Sequence, residues 1–294
     1  MAVNRIVVVG CGSIGQRHAR LLARRGNLCV ELCDTAPDCL AEAVASIGDR
    51  KTYRDYREAL ASRPDAIVVA TPHAEHAGPV IAALDAGVHV LCEKPMADNL
   101  ADAQRMAAAA RDGQCVLDFG FTLHFHPGLR RLKELVGSGA LGNIVHIYCR
   151  VGTYATLASS RTRHQAALEG ALLFDYVHQP DICYWLTNAE PSAVYLFAAR
   201  AGELPLCSNP NVADIILEYD TGLRACIHLN YLQAPQRHEY EVVGDRAWAK
   251  LDMEANELHI GRRNDATVTT ERFEIDRDRV FEAEHQAFFD AVDG

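Results

Sequence analysis

"RIVVVGCGSIGQRHA", residues 5–19, decides the fold. The apolar run Ile6 to Val9 reads as a buried strand, and it enters a turn with glycines at 10, 12 and 15. Ser13 to Gly26 then reads as a helix. A G-x-G-x-x-G pattern alone is weak, but between a strand and a helix it marks a dinucleotide-binding turn. Gly10 permits the tight turn, Gly12 lets backbone approach a pyrophosphate, and Gly15 allows close helix–strand packing. The helix N-terminus, at Ser13 and Ile14, offers amides and a partial positive charge to the phosphates. Asp34 ends the next strand, 19 residues after Gly15. Its carboxylate is placed to accept from the adenosine ribose and to repel a 2′-phosphate, and Thr35-Ala36-Pro37 brings no Arg to receive one. NAD is therefore expected over NADP.

Outward from that turn, short apolar runs alternate with helical patterns. "LCVELCD", "DAIVVATP", "VHVLCEKP" and "QCVLDFGF" read as further strands, and "APDCLAEAVASIG", "AEHAGPVIAALDAG" and "LADAQRMAAAARDG" as helices. Such alternation implies βαβ units and a doubly wound parallel sheet. After about residue 122 the rhythm changes. "HPGLRRLKELVGSG" and "EGALLFDYVHQPDICYWL" read as helices, and strand-like runs from "SAVYLFAAR" to "TVTTERFEID" follow without helices between them. "YDTGLRA" is a hairpin candidate with Gly222 in its turn. The expected architecture is α/β: residues 1–121 a dinucleotide-binding domain, residues 122–294 an α+β domain with an open, mostly antiparallel sheet. The chain stops at "HQAFFDAVDG" inside a helical pattern, which suggests a truncated C-terminus.

The 294 residues, 49% hydrophobic and 23% charged, suit a soluble two-domain protein with a sizeable core. A net charge of −10 argues against nucleic acid and anionic membrane as partners. No signal peptide is seen, and no apolar run approaches the roughly 20 residues that span a bilayer. The ten cysteines are scattered without a C-x-x-C pair, so reduced thiols in a cytoplasmic enzyme are expected, with no structural metal.

"GCGSIGQRHA", "ATPHAEH" and "EKPMA", together with "GFTLHFHPGLRRLKELVGSGALGNI" and "EGALLFDYVHQPDICYWL", complete a set. The chain thereby resembles the glucose–fructose oxidoreductase / inositol dehydrogenase / MocA family of nicotinamide-dependent oxidoreductases, over both domains. The resemblance implies a Rossmann domain followed by an open-faced sheet domain, with a sugar, cyclitol or derivative held between them. It makes Lys94 the catalytic or substrate-orienting lysine, with Glu93 and Pro95 fixing its loop near the nicotinamide. A lysine at the carboxyl end of a parallel strand stands where such sheets bind ligands. Its ammonium can stabilise charge developing on oxygen. Thr71, Pro72, His73 and His76 are expected to line the cofactor groove. His73 and His76 form no metal site, since an H-x-x-H pair lacks further ligands.

Carried further, the resemblance places His178 as general base and Asp181 as an orienting acid. The family's other acid position, four before the histidine, is Phe174 here, and Asp175 lies one residue late. On a continuous helix Asp175 would sit about 60° to one side of His178, since each residue turns about 100°. It can then contact the imidazole from the opposite flank. Pro180 complicates that helix by removing a hydrogen bond. Where the family has Asn-x-Arg this chain has Thr122-Leu123-His124, and where it has three glycines this chain has Leu168-Glu169-Gly170. Lys94, His124, Asp175 and His178 are the expected substrate-facing set, and a homodimer or homotetramer through the second sheet is expected. Two alternatives stay open: a glycoside hydrolase or lyase using transient oxidation, and a non-catalytic dinucleotide-binding regulator.

Overall fold

Runs such as Ile6–Val9 and Ala66–Val69 have no polar position to give to water, so each needs cover on both faces. In the computed structural model, which describes residues 3–159 and 168–294, they lie at the centre of a six-stranded parallel sheet. Its strands are β1 (Arg5–Val9), β2 (Cys29–Cys33), β3 (Thr52–Tyr53), β4 (Ala66–Val69), β5 (His89–Cys92) and β6 (Leu117–Phe119), ordered β3-β2-β1-β4-β5-β6. The connecting helices are α1 (Ser13–Ala23), α2 (Pro37–Ile47), α3 (Tyr56–Ala61), α4 (Ala77–Asp85) and α5 (Leu100–Gly113). Ile6 and Val8 pack to one side among residues of α1 and α2, Val7 and Val9 to the other among residues of α3, α4 and α5. The short β3 and α3 are additions to the sequence reading. The strand order reverses between β1 and β4, the place where open α/β sheets take ligands.

The second sheet has eight strands: β7 (Ile144–Gly152), β8 (Ala193–Ala199), β9 (Val212–Glu218), β10 (Arg224–Asn230), β11 (Arg237–Gly244), β12 (Ala247–Asp252), β13 (Glu257–Arg262) and β14 (Val268–Arg272). Their order is β14-β13-β12-β11-β7-β10-β9-β8, antiparallel except for the parallel pair β7–β10. The central strand β7 was absent from the sequence reading, although Ile147, Cys149 and Val151 alternate inward along it. Gly222, at φ +88°, turns β9 into β10 as expected. One face is covered by α6 (Pro127–Gly137), α7 (Ala155–Ala158), α8 (Ala171–Asp175) and α9 (His178–Thr187), which contribute Leu129, Leu132, Leu157, Leu172, Ile182 and others to its core. The other face carries Tyr148, Arg150, Asp214, Ile216, His228 and Lys250 around a surface cavity of about 640 Å³.

The last helix, α10 (Arg277–Asp293), corrects the domain boundary read from the sequence. The chain divides into Met1–Thr122 with Asp276–Gly294, and Leu123–Ile275. Phe288 and Phe289 join the core of the first unit beside Ile6, Ala19 and Leu22. Asp278 meets Arg20 of α1 and Arg24, just past its end, at 3.2 Å each. A terminal segment folding back over the first helix leaves no local pattern for a reader of the sequence. Among the described residues no helix is long and apolar enough to cross a membrane.

Candidate active site

The glycine turn is built by exclusion. Gly10 has φ +94°, and a Cβ there would lie 2.6 Å from the backbone of Ala70 and Thr71. A Cβ on Gly15 would stand 1.8 Å from the Gly10 carbonyl oxygen. On Gly12 it would meet nothing within 4 Å, so there the backbone borders open space. α1 begins at Ser13 and Ile14 with no side-chain hydrogen bond at its N-cap, and helix N-termini attract anions. Across the turn, Thr71 Oγ1 is buried with no hydrogen-bond partner among the described residues. An open cradle, an uncapped helix start and an orphaned hydroxyl fit the pyrophosphate of a dinucleotide.

Asp34 is half-buried and already employed. Its Oδ2 accepts from the Cys11 amide and its Oδ1 from the Ala36 amide, both at 2.7 Å. It fastens the glycine turn to the start of α2, and each oxygen keeps a second lone pair for a ribose hydroxyl. Arg54, from the β3–α3 connection, donates to the Thr35 carbonyl. A guanidinium therefore stands beside the Asp34 loop, which the local sequence 35–37 did not reveal. It arrives from 19 residues further along the chain.

At the end of β5, Glu93 and Lys94 are half-buried and Pro95 is buried. Glu93 Oε2 accepts from the Lys94 amide at 3.1 Å, and Glu93 Oε1 faces His18 Nε2 at 2.9 Å. A Cβ on Gly120 would crowd the Glu93 carboxylate at 2.9 Å, so that glycine makes room for it. His76, expected to line the groove, is 1% exposed. Its Nδ1 faces the Pro95 carbonyl at 3.0 Å and its Nε2 the Thr71 carbonyl at 2.9 Å. It braces the Thr71 loop against the Lys94 loop from inside, and burial pushes its pKa down. Pro72 and His73 open the short 3-10 turn that follows Thr71.

In the second unit the helix read through residues 169–186 is two helices. α8 ends at Asp175, Tyr176 leaves helical geometry at φ −103° and ψ 30°, and α9 starts at His178. Pro180 therefore sits in the first turn of α9, where its missing N–H breaks no intrahelical bond. The flank angles expected for one continuous helix do not apply. Asp175 accepts from the hydroxyl of the fully buried Tyr231, whose pKa is pushed up by burial and then by this carboxylate. Asp181, the expected orienter, holds His124 instead, Oδ2 to Nε2 at 2.7 Å. The His124 ring stacks on Trp185 at 4.7 Å and 9°. The next residue after His178, Gln179, is 1% exposed and donates to the buried Tyr240 hydroxyl at 3.1 Å. It anchors the start of α9 to the sheet. Sequence reasoning had assigned no role to Tyr231, Trp185 or Gln179; each lies far from its partner or between residues of the motif.

Residues 4–121 match the GFO/IDH/MocA family, described as an oxidoreductase family with an NAD-binding Rossmann fold, and residues 129–250 match the GFO/IDH/MocA C-terminal domain. The inositol 2-dehydrogenase of Gluconacetobacter diazotrophicus is 31% identical over 255 residues, covering 84% of this chain and 73% of that protein. A UDP-N-acetylglucosamine 3-dehydrogenase from Acidithiobacillus ferrooxidans superposes with TM-score 0.83 at 22% identity, over 99% of this chain and 89% of that one. Levoglucosan dehydrogenase in complex with NADH and levoglucosan gives TM-score 0.86 at 19% identity, over 98% and 90%. At those identities the two structures speak for the fold alone.

Proposed function

The chain belongs to the GFO/IDH/MocA family of NAD-binding oxidoreductases, and on that premise we propose that it oxidises a secondary hydroxyl of a polyhydroxylated ring, a sugar, aminosugar, nucleotide sugar or cyclitol, with NAD. The observation that carries the reading is the braced Glu93-Lys94-Pro95 loop at the carboxyl end of β5. His18 and His76 support that loop from beneath, as a lysine needs if its ammonium is to be held for chemistry.

Oxidation of an alcohol removes a proton from oxygen and a hydride from carbon. A bound NAD supplies the hydride acceptor. In this reading His178 takes the hydroxyl proton, and Lys94 donates a hydrogen bond to the same oxygen and offsets its developing negative charge. Asp175, tied to Tyr231, supports the imidazole. His124 with Asp181 binds substrate hydroxyls; the Trp185 face fixes the ring of His124. Asp34 favours NAD over NADP because its carboxylate opposes a 2′-phosphate. The relationship to an inositol 2-dehydrogenase supports a polyol ring as the substrate class. Assembly through the edge of the second sheet completes the proposal.

The test is a panel of cyclitols, aldoses, aminosugars, anhydrosugars and nucleotide sugars, each scored for NADH formation and for the matching ketone by mass spectrometry. NADH and ketone in equal amounts from at least one class is the expected result. Absence from every class, with NAD shown to bind, would reject the reading in favour of a regulator.

A further inference from the structure

Where α10 lies on α1, the first unit holds a set of side chains that alcohol oxidation does not use. His18, Glu284 and His285 are 0%, 1% and 1% exposed, and one ligand atom from each falls within 4.8 Å of the others. His18 and His285 are 267 residues apart in the chain.

Hydrogen bonds account for the histidines. His18 Nε2 faces Glu93 Oε1 at 2.9 Å, and His18 Nδ1 faces His285 Nε2 at 2.7 Å. With the Glu93 carboxylate oxygen as acceptor, Nε2 carries the proton and Nδ1 presents a lone pair toward α10. Glu284 has no such account. Both carboxylate oxygens are buried with no hydrogen-bond partner among the described residues. Burial, and the nearby carboxylates of Glu93 and Asp118, hold it well above the ordinary carboxylate range. A buried acid beside two imidazole nitrogens, with nothing to receive a hydrogen bond from, calls for a cation.

We propose that His18 Nδ1, His285 Nε2 and a Glu284 carboxylate oxygen form a site for one divalent transition-metal ion that clasps the C-terminal helix to α1. Two imidazoles and a carboxylate suit zinc or its borderline neighbours, whereas magnesium and calcium need more oxygen ligands. Glu93 behind His18 supplies the carboxylate–histidine–metal arrangement that fixes a ligand's tautomer and raises its basicity. The carboxylates of Glu284 and Glu93 balance the ion's two charges. Metal–nitrogen bonds of about 2.0–2.1 Å at a tetrahedral angle set neighbouring nitrogens about 3.3–3.4 Å apart, so from 2.7 Å the rings separate by somewhat over half an ångström. In place of the shared proton, the ion requires the Nδ1–H tautomer of His285. A surface cavity of about 410 Å³, lined by Leu21, Arg24, Arg25, Ala283, His285 and Gln286, provides the route in. The site is independent of the substrate assignment. Its consequence for the rest of the unit is a stiffer Glu93, hence a stiffer Lys94 loop.

The test uses the whole chain, stripped with a chelator and titrated with zinc in competition with a chromophoric chelator. One ion per chain is expected, with a rise in Tm that the chelator reverses. Glu284→Gln and His285→Asn should each weaken zinc at least tenfold and abolish the rise. The ten cysteines are the rival ligands, so cobalt replaces zinc in a second arm. The wild type is expected to show ligand-field bands without sulfur-to-cobalt charge transfer, which decides the matter even if a variant fails to fold. Zinc binding below half an ion per chain, equal affinity in folded variants, or a thiolate cobalt spectrum would each overturn the proposal.

Discussion

Asp34 has two duties, and they predict how its loss will be felt. It holds the Cys11 and Ala36 amides, and in the proposed function it opposes a 2′-phosphate. NAD(H) is expected to bind at least tenfold more tightly than NADP(H), a difference of about 1.4 kcal/mol. Asp34→Ala should narrow the gap from both sides, easing NADP and loosening the turn for NAD. Arg54→Ala in that background should take the NADP gain away again. Calorimetry giving equal or reversed wild-type affinities would remove the argument. His178 makes the second residue-scale claim. His178→Asn is expected to leave NAD affinity within about twofold while turnover falls by about 10² to 10⁴. Asp175→Asn should slow turnover and move the acid limb of the rate profile to lower pH, since losing a nearby negative charge disfavours the imidazolium. An unmoved pH profile would detach Asp175 from the base. The glycine roles were legible because the G-x-G-x-x-G spacing between a strand and a helix marks them, even though Gly10 meets Ala70 and Thr71 only through the fold. Arg54 and Tyr231 were not, because each meets its partner through tertiary contact.

Among the elements, the break at Tyr176 shows how a local signal was read and then misplaced. Pro180 announced a disruption, and the disruption lies upstream of it, so that the proline falls in a first turn that tolerates it. β7 escaped because its inward residues Ile147, Cys149 and Val151 alternate with Tyr148 and Arg150 in a stretch that follows the α6 pattern and was read neither as strand nor as helix. The helix-covered side of the second unit also makes a stability claim. His126 stands at the N-terminal boundary of α6, His238 lies on β11, and burial pushes both from the ordinary 6.5 down to about 4. The folded chain keeps these rings neutral while the unfolded chain takes up protons below about pH 6.5. Their contribution is therefore complete above that pH and is lost as pH falls toward about 4. Near-ultraviolet circular dichroism melts should show Tm declining through that window. His238→Gln, which can still hydrogen-bond Tyr240, should flatten the decline, and a wild-type Tm that holds level through the window would contradict the account.

Across the whole molecule, the second sheet leaves an edge that water covers poorly. On β8, Val194, Tyr195, Leu196 and Phe197 are 60%, 57%, 54% and 66% exposed. Apolar strand edges of this kind mark interfaces. The open face nearby is polar, with Lys250–Glu239 at 3.0 Å and His228–Asp214 at 2.7 Å. A homo-oligomer through β8 is the expected state by light scattering at micromolar concentration, and Phe197→Glu with Leu196→Lys should release monomers. A monomeric wild type would count against it. The fold class was legible because period and motif agreed over long stretches, whereas the return of α10 to the first unit left no pattern to read. The central claim is net transfer of hydride from a ring carbon to NAD, and isotope transfer tests it most directly. With the active member of the substrate panel deuterated at the reacting carbon, the account predicts one deuterium per NADH formed and none returned to product. Turnover that leaves the nicotinamide unlabelled, or that returns the deuterium to product with no NADH accumulating, would contradict it.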